Sequence, residues 1–229
     1  MQTVRMGSRG VDVALLQALL NKHAAAGIAV DGILGAKQTV PALKAYQARK
    51  SLVADGIAGP KTWASFGTIE EIRHRVALRS QSGVAGCWSA AAGMVTGVPQ
   101  SYGPGAAATG SGGGLVPTLP NVETFVAQQH WHIKNRVSAP PPSTLVSAMR
   151  RSPVWIAVGG VGVPVNHVVV FSAVLSDGDE SGDGTAFEVQ DPWPMGRGTS
   201  YATGYAQRKL ILRSVASHPA TQIMYVAGP

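Results

Sequence analysis

The chain has a single cysteine, Cys87, in a setting that suits a nucleophile. The residues after it predict a helix over Trp88–Val95 that ends near Gly97. A cysteine at the start of a helix lies at the positive end of the helix dipole, which favours the thiolate, and the N–H groups of the first turn can bind an oxyanion. Gln81, six residues earlier, can supply a second oxyanion donor if the loop folds back. The alternative is a lone buried structural cysteine, which composition alone favours.

A thiol nucleophile requires a base, which here must be one of six histidines: His23, His74, His130, His132, His167 and His218. His130 and His132 fall on a predicted amphipathic helix, where surface or packing roles are more common. His167 opens the apolar strand VVVFSAV, and a histidine at the mouth of a buried strand is held rigidly and can face a cleft. We therefore interpret His167 as the base. The alternative is a hydrogen-bonded histidine with a purely structural role.

A third group is expected to orient the imidazole. Asp191 ends the strand that follows His167, and two strands paired as a hairpin would bring these residues to one edge of a sheet. The order nucleophile, base and acid then reads Cys87, His167, Asp191. The alternative for Asp191 is a turn-starting aspartate before Pro192.

The elements that must hold these residues change from helices to strands along the chain. Asn121 can cap a helix through about Ile133, and Ser143 can cap another through Arg150. Helices followed by antiparallel strands predict an α+β domain. The apolar runs predict five strands, VWIAVG (154–159), HVVVFSAVL (167–175), AFEVQ (186–190), KLILRS (209–214) and QIMYVA (222–227).

Two segments predict connections rather than core elements. Residues 68–80 are charged and are interpreted as a partly helical linker that leads into a domain over 81–229. Residues 103–114 are glycine-rich and predict a flexible loop.

Together the chemistry-bearing residues resemble the papain-like cysteine peptidases. The resemblance rests on the spacing of Gln81 and Cys87-Trp88, on a histidine opening a strand, and on an aspartate at the end of the next strand. It is closest to the bacterial branch that includes double-glycine leader peptidases and papain-like virulence proteases, which use aspartate in an Asp-Pro setting. The resemblance implies a helix packed on an antiparallel sheet, acyl transfer through a thiolate–imidazolium pair, an oxyanion hole with Gln81, and Trp193 as a shield for the acid–imidazole pair.

Residues 1–67, named here the N-terminal module, contain an internal repeat. Asp31–Gly35 (DGILG) recurs 24 residues later as Asp55–Gly59 (DGIAG). An apolar-Gln pair precedes each copy and a threonine follows it, namely Leu16-Gln17 with Thr39 and Tyr46-Gln47 with Thr62. Helices are predicted from Val11 to Ala25, from Gln38 to Lys50 and from Thr62 onward, so the module is expected to be a compact three-helix unit.

The same motifs, in the same order, resemble the bacterial peptidoglycan-binding domain that accompanies many wall hydrolases. The resemblance covers residues 4–67 and begins at Gly7-Ser8-Arg9-Gly10-Val11. It implies binding to the cell wall. Relatives of this fold also act as plain protein-interaction modules, and that alternative stays open.

The charge of +7 is unevenly distributed. The N-terminal module has eight Lys/Arg against three Asp, and the rest has eleven Lys/Arg against nine Asp/Glu. A basic module indicates an anionic partner or a solvated basic surface. Charge alone is compatible with wall, acidic lipid or nucleic acid. Taken with the resemblance it favours peptidoglycan, and we expect no nucleic-acid partner.

The compartment is only partly constrained by the sequence. No apolar run reaches the length of a membrane span, and MQTVRMGSRG lacks a secretory signal. The chain is therefore expected to be cytoplasmic, trimmed, or delivered to the periplasm or cell wall by a route without a cleavable signal. One cysteine excludes an internal disulfide.

A calcium site is a further alternative for the acidic segment Asp177–Glu188, whose spacing fits an EF-hand loop. The predicted flanks are strands rather than helices, so an acidic hairpin loop is the favoured interpretation. We otherwise expect no metal or cofactor.

Three functions remain for comparison. The leading hypothesis is a cysteine hydrolase that cleaves peptide or amide bonds in peptidoglycan or protein, directed to the wall by its module, as an antibacterial effector or a lysin. The second is a protease toxin that acts inside a target cell, with the module used for delivery. The third is a catalytically inactive wall-binding adaptor. We expect a monomer, with an immunity protein as partner if the chain is a toxin.

Overall fold

The computed structural model describes residues 1–83, 86–98, 119–135, 140–159, 167–205 and 223–229. The helices there are α1 (Val11–Ala24), α2 (Thr39–Arg49), α3 (Pro60–Ala64), α4 (Cys87–Thr96), α5 (Leu119–Gln128) and α6 (Pro142–Met149). The strands are β1 (Glu70–Arg73), β2 (His132–Asn135), β3 (Val154–Gly159), β4 (His167–Ser176), β5 (Thr185–Asp191), β6 (Thr199–Gly204) and β7 (Ile223–Gly228).

The sequence repeat of the N-terminal module is a structural repeat built around two buried glutamines. The Gln17 side-chain amide donates to Asp31 Oδ1 at 2.9 Å and to Thr39 Oγ1 at 3.1 Å. The Gln47 amide makes the corresponding bonds to Asp55 Oδ1 at 2.9 Å and to Thr62 Oγ1 at 3.3 Å. Each glutamine thus ties a helix to the Asp-Gly turn that follows it, and satisfies polar groups that the fold removes from water.

The strands form one antiparallel sheet in the order β2-β7-β3-β4-β5-β6, and β1 pairs with β4 beside β3. Strands β3 and β1 pair with successive halves of β4. Val154–Val158 pair with residues 167–171, and Glu70–Arg73 pair with residues 173–176. The expectation of helices with an antiparallel sheet is confirmed at this level.

Successive side chains of β3 and β4 point to opposite faces of the sheet, and both faces are buried. Trp155 and Val170 lie with α4 and α5, whereas Ile156 and Val169 lie with α6 on the opposite face. The register shift between Phe171 and Ala173 changes the faces of the residues beyond it, as a bulge does. Ala173 and Leu175 consequently join the core of the N-terminal module.

The N-terminal module packs directly on the sheet. Its helix α1 contacts β4, β5 and β6, and every residue from Val11 to Leu20 is buried. α1 is therefore buried on two faces, one within the module and one against the sheet. Lys22 extends this interface with ion pairs to Asp177 at 2.6 Å and Asp179 at 2.7 Å.

Neither Asn121 nor Ser143 caps a helix, since α5 begins at Leu119 and α6 at Pro142. Two further local predictions are also wrong. The helix from Asn121 does not continue to Ile133, because His130 has a φ of 57° and His132 begins strand β2. The linker is not partly helical at Glu70–Arg73, which forms an edge pairing with β4. In both places backbone pairing with a distant strand overrides the local pattern.

Some predictions concern residues beyond those described. The loop at 103–114 and the strand at 209–214 fall outside the described ranges. Among the residues that the structure does describe, no helix is both long and apolar enough to cross a bilayer.

Candidate functional site

Cys87 is the first residue of α4, as the sequence predicted. The helix ends at Thr96, and Gly97 follows with a φ of 74°, the left-handed conformation common after a helix. Cys87 is half-buried, and its side chain packs against the aromatic cluster under α4 that includes Trp88 and Trp155. The first turn of a helix has N–H groups without helical partners, so a thiol at this position is suited to chemistry that forms an oxyanion.

His167 and Asp191 meet because their strands are antiparallel neighbours. His167 begins β4, Asp191 ends β5, and the pairing of Val170 with Gln190 brings these two termini to one edge of the sheet. His167 Nε2 lies 2.8 Å from Asp191 Oδ1, with the histidine 4% exposed and the aspartate fully buried. The two residues that the sequence selected as base and acid are therefore in direct contact.

The pKa of His167 is changed by burial and by its interactions with Asp191 and Cys87. Burial alone would lower its pKa, but hydrogen bonds with Asp191 and Cys87, reinforced by the charges of both groups, raise the pKa of His167 to about 9. Cys87, His167 and Asp191 thus form one hydrogen-bonded series. Its middle member favours the protonated form at neutral pH.

Gln81 lies in a loop that folds back on the Asp191 segment. Its backbone N–H donates to the Pro192 carbonyl at 3.0 Å, and its side-chain amide donates to the Gly83 carbonyl at 2.7 Å. A Cβ placed on Gly86 would lie 3.5 Å from the Gln81 Cβ, so the Gln81 side chain lies beside the residue that precedes Cys87. The fold-back required of an oxyanion donor is thus present.

Trp193 contributes its backbone to the same series. The Trp193 N–H donates to Asp191 Oδ1 at 2.8 Å, so this oxygen accepts from both Trp193 and His167. The Trp193 side chain is half-buried. Its role as a shield for the acid–imidazole pair stays a prediction, whereas the backbone contact was not anticipated.

The other histidines have separate surroundings. The ring of His23 lies 5.7 Å from that of Phe66, and His74 Nε2 lies 2.6 Å from the Met149 carbonyl oxygen. His130 lies in the turn after α5 and His132 on β2, while His218 falls outside the described residues.

The acidic segment is a hairpin loop between β4 and β5, as the favoured interpretation predicted. Asp177 and Asp179, the first and third positions of the EF-hand spacing, both bind the Lys22 ammonium. An intramolecular cation therefore occupies these two carboxylates. Among the described residues, no group of three or more His, Cys, Asp or Glu could hold a metal ion.

This arrangement suits acyl transfer. A thiol at a helix start is hydrogen-bonded to an imidazole whose Nε2 is held by a buried carboxylate. Such a set can form a thiolate–imidazolium pair, with first-turn N–H groups beside the carbon that the thiolate attacks.

Comparison with known proteins concerns the N-terminal module. Residues 9–65 match the sequence model of the peptidoglycan binding domain family. The crystal structure of Burkholderia AP3 phage endolysin is 46% identical over 29% of this chain and 25% of the endolysin, with a TM-score of 0.28. The SleB N-terminal domain is 34% identical over 28% of this chain and 88% of that one, with a TM-score of 0.27. This chain thus spans a quarter of the endolysin. No curated protein matches it.

The matched segment 9–65 contains both copies of the repeat, with their glutamines, Asp-Gly turns and threonines. The chain therefore carries a peptidoglycan-binding domain at its N-terminus.

Proposed function

We propose that residues 81–229 form a papain-like cysteine hydrolase that cleaves peptide or amide bonds of peptidoglycan, with Cys87 as nucleophile, His167 as base and Asp191 as orienting acid. The observation that supports this proposal best is the position of His167. Its buried imidazole is hydrogen-bonded both to Asp191 and to the thiol of Cys87. A histidine with a purely structural role does not require a thiol partner at a helix start.

The proposed chemistry follows from which ring nitrogen of His167 is bound to Asp191. Because His167 Nε2 faces Asp191, the remaining nitrogen, Nδ1, is the one that serves Cys87. The Cys87 thiolate attacks the carbonyl carbon, forming a C–S bond and an oxyanion that Gln81 and the first-turn N–H groups hold. The intermediate collapses, the C–N bond breaks, and His167 gives its proton to the leaving amine. Water, deprotonated by His167, then hydrolyses the thioester and releases the thiolate.

The choice of substrate rests on the N-terminal module. A domain that binds peptidoglycan and packs rigidly on the sheet raises the local concentration of wall peptides near Cys87. Wall hydrolysis of this kind fits a lysin or an antibacterial effector. The alternative is that the same chemistry cleaves a protein rather than peptidoglycan.

The test is digestion of purified peptidoglycan by the wild-type protein and by Cys87→Ala, with soluble products identified by mass spectrometry. We expect the wild type to release new muropeptides whose masses identify the bond, and the variant to be at least ~10³-fold slower. Cys87→Ala must keep the circular dichroism and sacculus binding of the wild type, which separates lost chemistry from lost folding. Equal release by both proteins would refute the role of Cys87, and no release by either would refute the wall substrate and turn the search to proteins.

A further inference from the structure

The two copies of the repeat offer two equivalent turn surfaces. In each copy the glutamine Oε1 accepts from the turn glycine at 2.9 Å, and the aspartate Oδ1 accepts from the next isoleucine N–H at 2.9 Å. The turn glycines also share a left-handed backbone, with φ of 69° at Gly32 and 77° at Gly56. The two surfaces therefore begin with the same backbone and the same internal bonds.

The first surface is occupied by the rest of the protein. A Cβ placed on Gly32 would lie 2.9 Å from the Ala202 Cβ on strand β6, so this turn is in close contact with the sheet. Lys22, at the end of the preceding helix, is held by Asp177 and Asp179. A cavity of about 190 Å³ lies between α1 and the β4–β5 hairpin. The sheet therefore covers Gly32 and leaves Asp31 and Ile33 half-buried.

The second surface is open. The nearest atoms to a Cβ placed on Gly56 belong to Val40 and Lys44 of the module's own helix α2. Beside this turn lies a cavity of about 410 Å³, here named the second-repeat groove, whose walls include Leu52, Val53, Ile57, Pro60 and Lys61. Val53 is 78% exposed and Ile57 is 38% exposed, although both are apolar. Exposed apolar side chains around a concavity are typical of a binding surface.

We propose that the second-repeat groove binds the peptide part of peptidoglycan, with Val53 and Ile57 against alanine methyl groups and Lys61 paired with a peptide carboxylate. This inference rests on the wall-directed function proposed above and assigns its docking site. The groove has small aliphatic walls and an exposed cation at its edge, and the module around it carries excess positive charge.

The lining favours peptide over glycan. None of the described side chains that line the groove is aromatic, so it offers no flat ring on which a sugar could stack. Asp55 also lines the groove and is exposed, but its Oδ1 already accepts hydrogen bonds from the Ile57 N–H and the Gln47 amide. Lys61 is consequently the charge best placed to select an anionic peptide end.

The experiment measures sedimentation with purified sacculi in a Cys87→Ala background, so that binding is observed without cleavage. Val53→Asp and Lys61→Ala are expected to weaken binding at least tenfold. Two matched controls are Ala45→Asp, in a separate groove of the module lined partly by Ala42 and Ala45, and Lys37→Ala, an exposed lysine next to the first repeat. Both controls should bind as the parent does.

A soluble competition assay identifies the ligand. A synthetic stem peptide ending in D-alanine should displace the protein from sacculi, whereas peptide-free glycan strands should not. Displacement by glycan strands alone, full binding by Val53→Asp and Lys61→Ala, or loss of binding in Ala45→Asp would each overturn the assignment. Binding in the Cys87→Ala background is independent of cleavage. Failure of the groove assignment would therefore not refute the hydrolase proposal, which the digestion assay tests separately.

Discussion

At the scale of single residues, the decisive feature is a buried imidazole that favours its charged form. Burial disfavours a cation, yet the pKa of His167 rises to about 9 because Asp191 and Cys87 both bind the ring. Asp191 is itself held by the Trp193 N–H, which fixes the oxygen that meets His167. The orientation of the His167 ring thus depends on a carboxylate and a backbone amide together.

Asp191→Asn keeps the shape of this side chain and removes its charge. We expect the pKa of His167 to fall, because the desolvation of the ring remains while one stabilising charge is lost, and hydrolysis to slow by about 10²–10⁴-fold. The ring titration of His167 by NMR and the rate of muropeptide release measure the two effects. Asp183→Asn, an exposed position in the β4–β5 loop, should change neither. An unchanged His167 titration in Asp191→Asn would contradict this account.

The raised pKa of His167 also predicts how activity and stability depend on pH. The proton is bound in the folded protein up to about pH 9, whereas the unfolded chain releases it near the ordinary value of 6.5. This contribution to the free energy of unfolding is therefore complete below pH 6.5 and is lost as pH rises through about 9. The alkaline limb of the rate profile should fall in the same range.

Denaturant unfolding at several pH values between 6 and 10, together with the rate profile, tests this dependence. His167→Gln is the control, because it cannot bind the proton and should lack that part of the alkaline loss of stability. A rate that stays constant from pH 8 to 10 would be inconsistent with an imidazolium in the active form.

At the scale of elements, the repeat motif is explained by two glutamines rather than by ligand contacts. Gln17 and Gln47 are each 1% exposed, and each joins a helix to a turn and to a threonine that begins or enters the next helix. The polar residues of the motif are thus hydrogen-bonded within the module. The ligand contacts proposed above fall instead on Val53, Ile57 and Lys61.

Gln17→Ala and Gln47→Ala should each lower the free energy of unfolding by about 2–3 kcal/mol, because buried backbone and side-chain groups lose their partners. Gln38→Ala removes an exposed amide from the same module and should change stability by less than about 0.5 kcal/mol. Denaturant titrations followed by tryptophan fluorescence measure all three. If Gln17→Ala were as mild as Gln38→Ala, the turns would have to be held by other contacts.

At the scale of the whole molecule, the wall-binding domain is part of the packed structure and not a tethered attachment. The core around α1 includes Ala173, Leu175, Ala186 and Ala202 from the sheet. Arg73 on β1 binds both carboxylate oxygens of Asp12, and Lys22 binds the hairpin loop. Strands β4 and β5, which carry His167 and Asp191, also carry part of this interface.

We therefore expect the full chain to unfold in a single cooperative transition, and residues 81–229 alone to lose stability because the apolar surface under α1 becomes exposed. Two separate calorimetric transitions would disprove a shared core.

Lys22→Ala should lower the free energy of unfolding by about 1 kcal/mol, since its ion pairs are partly solvated. A double-mutant cycle with Asp177→Ala isolates the pairing, and Lys37→Ala is the exposed control.

The sequence was informative wherever a local signal was strong. The start of α4 at Cys87, the β4 and β5 strands and the helices of the repeat are confirmed at nearly the predicted residues. Strand β6 was not predicted, because TSYATG has a weak apolar pattern and becomes a strand through its pairing with β5. The backbone contact of Trp193 and the Lys22 bridge gave no pattern along the chain, since each joins groups whose proximity depends on folding.

By itself, the sequence determined which chemical groups are available and in which elements they lie. It placed Cys87 at a helix start and His167 and Asp191 at strand ends, because helix and strand signals depend on neighbouring residues. Only the tertiary structure decided that β4 and β5 bring His167 and Asp191 to 2.8 Å, and that the sheet covers the first repeat but leaves the second exposed. Those outcomes depend on strand register and on burial of a second apolar face of α1, which are properties of the packed chain and not of any local segment.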